Sequence, residues 1–342
     1  MPQAKRDSER TVLVTGGAGY VGSILLRRLL GAGYRVVCVD VLTHGGRSLV
    51  GVWDHPRFRF AKIDITDHEA VDEVVDEYDP FGIVHLAAIV GDPACKREPE
   101  RAVRVNRDAS VHLLEKAISA GVRRFVFAST CSNYGKMEDS AGYVDETSPL
   151  APVSLYAELK VEFEKRLLEG VERREGFSPT ALRFATVYGM SHRTRFDLTV
   201  NEFTKELVLG RELVVYGQQF WRPYCHVRDL STAIRAVLEA PEKQVAYDVF
   251  NVGQTEENYT KRMLVDELLE QIPDGRIRYV HKEEDPRDYR VRFGKIRDRL
   301  GFRISRTVPQ GIRDIRTGIR LGIIADPDDP RHYNIPVEPP DG

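Results

Sequence analysis

The sequence predicts an α/β fold in which helices cover both faces of a doubly wound, parallel β-sheet. Short β-branched runs alternate with amphipathic segments over the first half of the chain, and several runs are apolar at nearly every position. Strands of this composition are expected where helices bury both faces of a parallel sheet. The 342 residues suffice for one such domain and a smaller second one, without disulfides.

The predicted elements follow one another without an internal repeat. In the first half, the β-branched runs predict strands over residues 11–15, 34–40, 57–64, 82–87, 123–129 and 181–185. Amphipathic segments separate these strands, as in successive βαβ units. After residue 187 the alternation weakens, and the pattern predicts helices over 198–209 and 227–238 and a strand over 247–252.

The change in pattern predicts two domains and a tail. The first domain comprises residues 1–186, with 227–254 returning to it, and holds the parallel sheet. A smaller C-terminal α/β domain comprises 187–226 and 255–324 and caps the carboxyl edge of the sheet. Residues 325–342 are rich in Asp and Pro and lack periodicity, so we expect an extended tail.

The composition argues against several classes of protein. The net charge is -2 with both signs mixed along the chain, so no basic field exists to hold a nucleic acid. No apolar stretch reaches the roughly 18 residues that a membrane span needs. The four cysteines stand singly without a CxxC pair, which argues against a metal site and fits reduced thiols in a cytoplasmic protein.

A glycine-rich turn follows the first predicted strand. Gly16, Gly19 and Gly22 lie in the run TGGAGYVG, which leads directly into an apolar helix. Glycines there permit a tight turn and the close approach of a pyrophosphate, while the helix N-terminus offers free N–H groups. Asp40 ends the second strand, where a carboxylate can accept both hydroxyls of an adenine ribose and repel a 2′-phosphate. The pattern predicts a dinucleotide site that prefers NAD to NADP; a turn or capping aspartate is the alternative.

A candidate group for proton transfer lies downstream. Tyr156 and Lys160 are four residues apart, so on a helix they share one face. A phenol titrates at about 10 in water, and a neighbouring cation and hydroxyl donor can favour its ionised form. The hydroxyl-rich run STCSNYG follows the predicted strand 123–129, at the sheet edge where ligands bind in such folds. A chance Tyr/Lys spacing and a Ser/Thr turn are the structural alternatives.

Taken together, these motifs are typical of one family. The sequence resembles the extended short-chain dehydrogenase/reductases, specifically the NAD-dependent nucleotide-sugar epimerase/dehydratase family, from about Thr11 to Phe302. The matching motifs are TGGAGYVG, HLAA at 85–88, VN at 105–106, STCSNYG, YAELK, RFATVYG at 183–189 and RPYCHVRD at 222–229. The resemblance implies a Rossmann domain that binds NAD, a smaller domain that binds a nucleoside-diphosphate sugar, and a homodimer formed by helices near 99–120 and 154–169.

The resemblance also implies roles for individual residues. The catalytic residues would be Thr130, Tyr156 and Lys160. The cofactor would be bound by Tyr156 and Lys160 and by Gly16, Gly19, Tyr20, Val21, Asp40, Asp64, Ile65, Ala87, Ala88 and Asn106, the last more often structural. The substrate would be bound by Thr130, Cys131, Ser132, Asn201, Arg222 and Arg287. Arginine suits a phosphate, although each arginine could be a solvated surface residue; the arginine-rich loop 191–197 could likewise reach the substrate or be solvated.

One departure from the family pattern reduces the number of reactions that the sequence predicts. Family 4,6-dehydratases carry Asp-Glu directly after the catalytic threonine, as the groups that eliminate water, and Cys131 and Ser132 occupy these places here. We therefore predict an epimerase that oxidises the sugar at C4 and reduces it from the other face, with a 4-dehydrogenase or ketoreductase second. A dehydratase that uses Cys131, for which a buried filler is the alternative role, and a catalytically silent NAD-binding regulator are the remaining hypotheses.

Overall fold

Seven parallel strands form the central sheet of the computed structural model, which describes residues 10–137, 142–285 and 287–335. These strands are β1 (Thr11–Thr15), β2 (Arg35–Val39), β3 (Phe58–Ala61), β4 (Gly82–His85), β5 (Arg124–Thr130), β6 (Ser178–Phe184) and β10 (Asp248–Val252). Their order across the sheet is β10-β6-β5-β4-β1-β2-β3. The order reverses between β1 and β4, which opens a crevice at the carboxyl ends of these strands.

Helices cover both faces of this sheet, and further helices lie in a smaller unit. In chain order the helices of the described residues are α1 (Gly22–Gly31), α2 (His68–Tyr78), α3 (Asp92–Arg97), α4 (Pro99–Val103), α5 (Ala109–Ser119), α6 (Leu155–Leu168), α7 (Thr199–Val208), α8 (Val227–Glu239), α9 (Glu242–Val245), α10 (Lys261–Gln271), α11 (Gly294–Leu300) and α12 (Val308–Arg320). Val12 and Val14 of β1 pack beneath α1 and α8, whereas Leu13 packs on the opposite face with α2, α5 and α6. Burial on both faces explains the continuously apolar strands. In the described ranges, no helix is long and apolar enough to cross a membrane.

A smaller unit lies beyond the main sheet. Its strands are β7 (Thr186–Tyr188), β9 (Trp221–His226) and β11 (Asn258–Thr260), which form one sheet, and the parallel pair β8 (Glu212–Tyr216) and β12 (Arg276–Val280). Val200 of α7, Leu264 of α10 and Ile312 of α12 pack together in its core. The chain therefore leaves the main sheet after β6, builds part of the smaller unit, and returns for α8 and β10.

The parallel α/β sheet confirms the fold class predicted from the sequence. Two elements differ in detail. The strand predicted over 57–64 ends at Ala61, and the helix predicted over 99–120 is interrupted by a π-helical turn at Arg104–Asp108. Asn106 lies in that turn with its side chain turned inward, where its amide donates to the carbonyl of Ile89 at 2.9 Å. The turn widens the helix where a polar side chain must be accommodated in the interior.

The C-terminal segment of the described chain packs against the smaller unit. Asp328 accepts from Lys205 Nζ at 2.9 Å and also pairs with Arg211. Tyr333 is buried, and its hydroxyl accepts from Lys205 Nζ at 2.7 Å. Residues 325–335 of the predicted tail are therefore fixed in place, while 336–342 lie outside the described residues.

Candidate active site

The glycine-rich turn joins β1 to α1 at the sheet's switch point. Gly16 has a φ of +72°, and a Cβ there would lie 2.7 Å from the backbone nitrogen of Ala87. A Cβ at Gly22 would collide with the carbonyl oxygen of Gly16. A side chain at Gly16 would displace the chain after β4, and one at Gly22 would push α1 away from the turn. The close packing leaves the N-terminus of α1 directed at the crevice, as a pyrophosphate site requires.

Asp40 lies beside this turn, as the sequence predicted. One of its carboxylate oxygens accepts from the backbone N–H of Ala18 at 3.0 Å, and the other accepts from the N–H of Leu42 at 2.8 Å. Burial raises the pKa of the carboxyl, although both backbone donors oppose the shift. Asp40 therefore couples the end of β2 to the glycine-rich turn, and the remaining lone pairs of its carboxylate can accept from a ribose diol.

We expect wild-type protein to bind NAD(H) at least about tenfold more tightly than NADP(H), because a 2′-phosphate would face the Asp40 carboxylate. Asp40→Asn keeps the size of the side chain and removes its charge, so the ratio of the two affinities should shrink. Calorimetric titration of both variants with both cofactors measures this ratio. Equal affinities in the wild type, or an unchanged ratio in the variant, would remove Asp40 from the role.

Three other residues predicted to bind the cofactor form hydrogen bonds within the protein. Asp64 uses one carboxylate oxygen to hold the backbone N–H of Thr66 at 3.0 Å, in a turn after β3. Ala87 N–H donates to Thr15 Oγ1 at 3.3 Å, which fixes the chain after β4. Asn106 uses both ends of its amide on the backbone of Ile89. Its contribution is thus to hold the wall of the crevice, in agreement with a structural role.

The predicted catalytic residues come together where α6 packs on the end of β5. Lys160 Nζ donates to the carbonyl oxygen of Ala128 at 2.7 Å. Tyr156 lies one turn earlier on the same helix, and Thr130 lies two residues further along the same strand. The ammonium lies 5.9 Å from the centroid of the Tyr156 ring. One hydroxyl, one phenol and one amine therefore share this corner of the crevice.

Burial governs the ionisation of this group. It lowers the pKa of Lys160 to about 7. Burial also raises the pKa of Tyr156 well above its ordinary value, and the neighbouring Cys95 adds to that effect. The guanidinium of Arg195, in the loop after β7, acts in the opposite direction and favours the phenolate. The charge of Arg195 thus opposes the effect of burial on the pKa of Tyr156.

A buried ion pair supports residues 129–135, the catalytic loop at the end of β5. Glu164 of α6 and Arg183 of β6 are joined through Arg183 Nε at 3.0 Å and a second, shorter contact. The other oxygen of Glu164 accepts from Ser129 Oγ at 2.6 Å, and Arg183 also donates to Tyr134 Oη at 2.9 Å. The sequence analysis assigned no role to Ser129 or Glu164. Glu164 follows Lys160 by four residues, so it lies on the same face of α6, and this spacing could have indicated its position near the site.

The structure does not bring the Cys131 thiol into the crevice. The side chain is fully buried and donates to the carbonyl oxygen of Arg183 at 3.3 Å. Burial raises the pKa of the thiol, which opposes ionisation. Ser132 is partly exposed instead, with its hydroxyl 3.4 Å from Tyr289 Oη. This geometry favours the filler role for Cys131, and it adds Tyr289, which the sequence did not single out, to the wall of the site.

The two predicted phosphate-binding arginines lie in one cluster with two acidic residues. Arg222 Nη2 lies 2.8 Å from Asp285, whose carboxylate is also 3.7 Å from Arg287 Nε. Arg287 Nη1 lies 3.0 Å from Asp92, the first residue of α3. Asp285 is buried, so it holds the two guanidinium groups near each other. A diphosphate that bound here would replace the Asp92 contact of Arg287.

Asn201 is engaged entirely with protein. Its oxygen accepts from the N–H of Gly189 at 2.8 Å. Its nitrogen donates to the carbonyl of Arg195 at 2.7 Å and to Tyr20 Oη at 3.2 Å. The side chain is fully buried. It therefore ties the loop of the smaller unit to the glycine-rich turn, and its predicted contact with a diphosphate stays a prediction.

Comparisons with known proteins agree with this geometry. Residues 12–253 match the NAD dependent epimerase/dehydratase family. A UDP-glucose 4-epimerase of Lacticaseibacillus casei is 30% identical over 71% of this chain and 76% of its own. A dTDP-glucose 4,6-dehydratase of Streptomyces niveus is 32% identical over 85% of this chain and 87% of its own. The structure of a Thermus thermophilus UDP-glucose 4-epimerase in complex with NAD superposes with a TM-score of 0.79, at 27% identity, covering 91% of this chain and 99% of that one.

The match covers well over half of the chain, and the tight glycine turn, the anchored Asp40 and the inward-facing N-terminus of α1 suit NAD. The sequence-based identification of the cofactor and of an enzyme is thereby confirmed. The chain belongs to the NAD-dependent epimerase/dehydratase family of extended short-chain dehydrogenase/reductases.

Proposed function

We propose that the protein is a nucleotide-sugar epimerase that acts at C4 of the sugar. The observation that carries this proposal is the set of side chains at the end of β5 and on α6: Thr130, Tyr156 and Lys160 supply the groups for proton transfer at a carbinol. The two positions after Thr130 hold a buried thiol and a serine where an elimination would use carboxyl groups. The relatives include both epimerases and dehydratases, so the proposal depends on these two positions rather than on the overall similarity.

The protein's own groups have distinct tasks in this proposal. Tyr156 takes the proton of the C4 hydroxyl, and Thr130 donates a hydrogen bond to the same oxygen. Lys160, fixed by the carbonyl of Ala128, holds the nicotinamide ribose and favours the phenolate. The glycine-rich turn, Asp40 and Lys160 would hold NAD, which would supply the acceptor and donor of the C4 hydride. The phenol then gives its proton back to the oxygen of the rotated keto-sugar.

Arg222 and Arg287 bind the diphosphate of the nucleotide in the same proposal. Their guanidinium groups offer planar donor pairs that match phosphate oxygens. Asp285 sets the position of both before substrate arrives. The two arginines would hold the nucleotide by its diphosphate and leave the sugar free to rotate. An epimerase requires this rotation between the oxidation and the reduction.

Elimination of water needs more than this loop supplies. A dehydratase must remove the C5 proton and protonate the departing C6 hydroxyl, tasks for a base and an acid of suitable pKa. An unactivated serine is too weak a base, and the pKa of the Cys131 thiol is raised by burial. Hydride transfer at C4 needs neither group.

The mass of the product tests the proposal. Purified protein should convert a UDP-, dTDP-, GDP- or CDP-hexose to a product of unchanged mass, with the cofactor unchanged over the reaction. Mass spectrometry and NMR of the recovered nucleotide-sugar measure this. A 4-keto product with NADH accumulation would favour the 4-dehydrogenase alternative. A main product lighter by one water would overturn the proposal in favour of a dehydratase, and Cys131→Ala would then show whether the thiol takes part.

We also propose a two-fold dimer through α5 and α6. A surface hollow between the π-helical turn, α5 and α6 is lined by opposite charges beside apolar groups: Arg107, Asp108, Val111, Glu162, Phe163 and Arg166. Both signs on one patch allow it to pair with its own copy across a two-fold axis.

A further inference from the structure

The loop that follows β7 is fastened to the glycine-rich turn. Tyr20 Oη donates to the carbonyl of Gly189 at 2.6 Å, and Ser191 Oγ donates to the carbonyl of Tyr20 at 2.6 Å. Asn201 Nδ2 donates both to Tyr20 Oη and to the carbonyl of Arg195. These bonds place the backbone of Arg195 beside Tyr20, and hence beside the N-terminus of α1.

The side chain of Arg195 is held in a fixed direction. Its Nε lies 2.9 Å from one carboxylate oxygen of Asp197, and its Nη2 lies 2.8 Å from the other. The Arg195 side chain is only 12% exposed. Within the described residues, the structure records no acceptor for Nη1. Asp197 therefore binds the Nε and Nη2 edge of the guanidinium and fixes its orientation. The Nη1 donors remain for a ligand.

A second cation lies close to the first. Arg193 is buried, and its Nη1 and Nη2 donate to the neutral oxygens of Asn334 and Tyr333, at 2.8 and 3.1 Å. Its Nε is buried without a partner among the described residues. Burial, together with Arg195, lowers the pKa of Arg193 to about 10. Arg195 is paired with Asp197, whereas no ion pair of Arg193 is recorded among the described residues. A guanidinium buried in this way beside a second one indicates that the site accommodates an anion.

The neighbours of this pair identify which anion. Burial and both arginines lower the pKa of His44, just beyond β2, to about 4. Arg193 also acts on the carboxyl of Asp40, and Arg195 on the phenol of Tyr156. The loop of the arginine pair is bonded to Tyr20 of the glycine-rich turn, and Ala18 of the same turn is bonded to Asp40. The pair therefore lies beside the part of the predicted cofactor site that follows the adenine ribose at Asp40, towards the nicotinamide ribose predicted at Tyr156. The pyrophosphate is the anionic part of NAD between these two riboses.

We propose that Arg195, aligned by Asp197, binds the pyrophosphate of NAD from the side opposite the glycine-rich turn. The inference rests on the same NAD site as the proposed function and adds a residue of the smaller unit to it. The glycine-rich turn supplies neutral N–H groups. Arg195 supplies a full positive charge, so the bound cofactor would add a charged link between the loop after β7 and the first domain.

Titration of the Arg195 variants with NAD(H) tests this role. Arg195→Ala and Arg195→Gln should each raise the Kd for NAD(H) at least about tenfold, the loss expected for one charge-assisted hydrogen bond. The matched control is Arg313→Ala, which removes an exposed arginine of α12 and should leave the Kd within about twofold. UDP and dTDP, titrated into the same variants, report on the substrate's diphosphate site.

The outcomes separate the possible ligands. Weaker NAD(H) binding with unchanged UDP and dTDP binding supports the proposal. Weaker UDP or dTDP binding with unchanged NAD(H) binding would assign Arg195 to the substrate and overturn it, and so would unchanged binding of all ligands. The Gln variant keeps a polar side chain without the charge. It therefore decides the question if the Ala variant has a lowered melting temperature. If the wild type binds no NAD(H), the proposed function is refuted as well. If the wild type binds NAD(H) and both Arg195 variants bind it with the same Kd, only the inference is refuted.

Discussion

Tyr156→Phe should lower kcat by at least about 100-fold while the protein still binds NAD(H). The substitution removes the one hydroxyl that we assign to proton transfer at C4, and general acid–base catalysis contributes about this factor or more. The ring stays, so the apolar contacts that Tyr156 makes with the cluster around Cys95 and Leu159 should persist. Steady-state kinetics and a cofactor titration on the same preparation measure both quantities.

A matched control for this variant is Tyr289→Phe. Tyr289 lies in the wall of the same site with its hydroxyl 3.4 Å from Ser132 Oγ, but it has no part in the proposed proton transfer. We expect its kcat to stay within about tenfold of the wild type, since one neutral hydrogen bond is lost. If Tyr156→Phe retains activity, or if Tyr289→Phe is the more damaging change, then the base has been misassigned.

Glu164→Gln should destabilise the folded protein by about 3 kcal/mol, because it leaves the Arg183 guanidinium buried without its counter-charge. Both side chains of the pair are about 5% exposed or less. The same carboxylate also accepts from Ser129, the residue before Thr130, so the catalytic loop should lose its support. Urea-induced unfolding, followed by circular dichroism, measures the change in free energy of unfolding.

Glu212→Gln is the matched control for the buried pair. Glu212 pairs with Arg278 at 2.9 Å on the surface, where both side chains are about half exposed. An exposed pair of this kind contributes at most about 1 kcal/mol. Similar losses of stability in the two variants would mean that burial of the Glu164–Arg183 pair has no special consequence.

The sequence predicted the framework of the fold well because its signals are local. The β-branched runs lie within a few residues of the observed strands, and the glycine-rich turn has the tight packing that its spacing indicates. The pairing of Tyr156 and Lys160 on one helix face also follows from spacing alone. Each of these features depends on neighbours within a turn or two of the chain.

The parts that were not predicted depend on contacts between distant segments. Glu164 and Arg183 belong to different elements, and no local pattern indicates that they meet. Cys131 lies in a motif beside the active site, but its side chain turns toward β6 because β5 and β6 are adjacent strands. The direction of a side chain at the end of a strand depends on such packing, which composition and spacing do not contain.

The strand order has a consequence for synthesis of the chain. β6 is made before the segment that builds part of the smaller unit, and its partner β10 follows only after that segment. During translation, one edge of the seven-stranded sheet is therefore uncovered while about sixty residues are added. An apolar strand with unpaired backbone groups is prone to pair with another chain. Nascent chains stalled between β6 and β10 should consequently need chaperone protection, whereas chains extended past β10 should not.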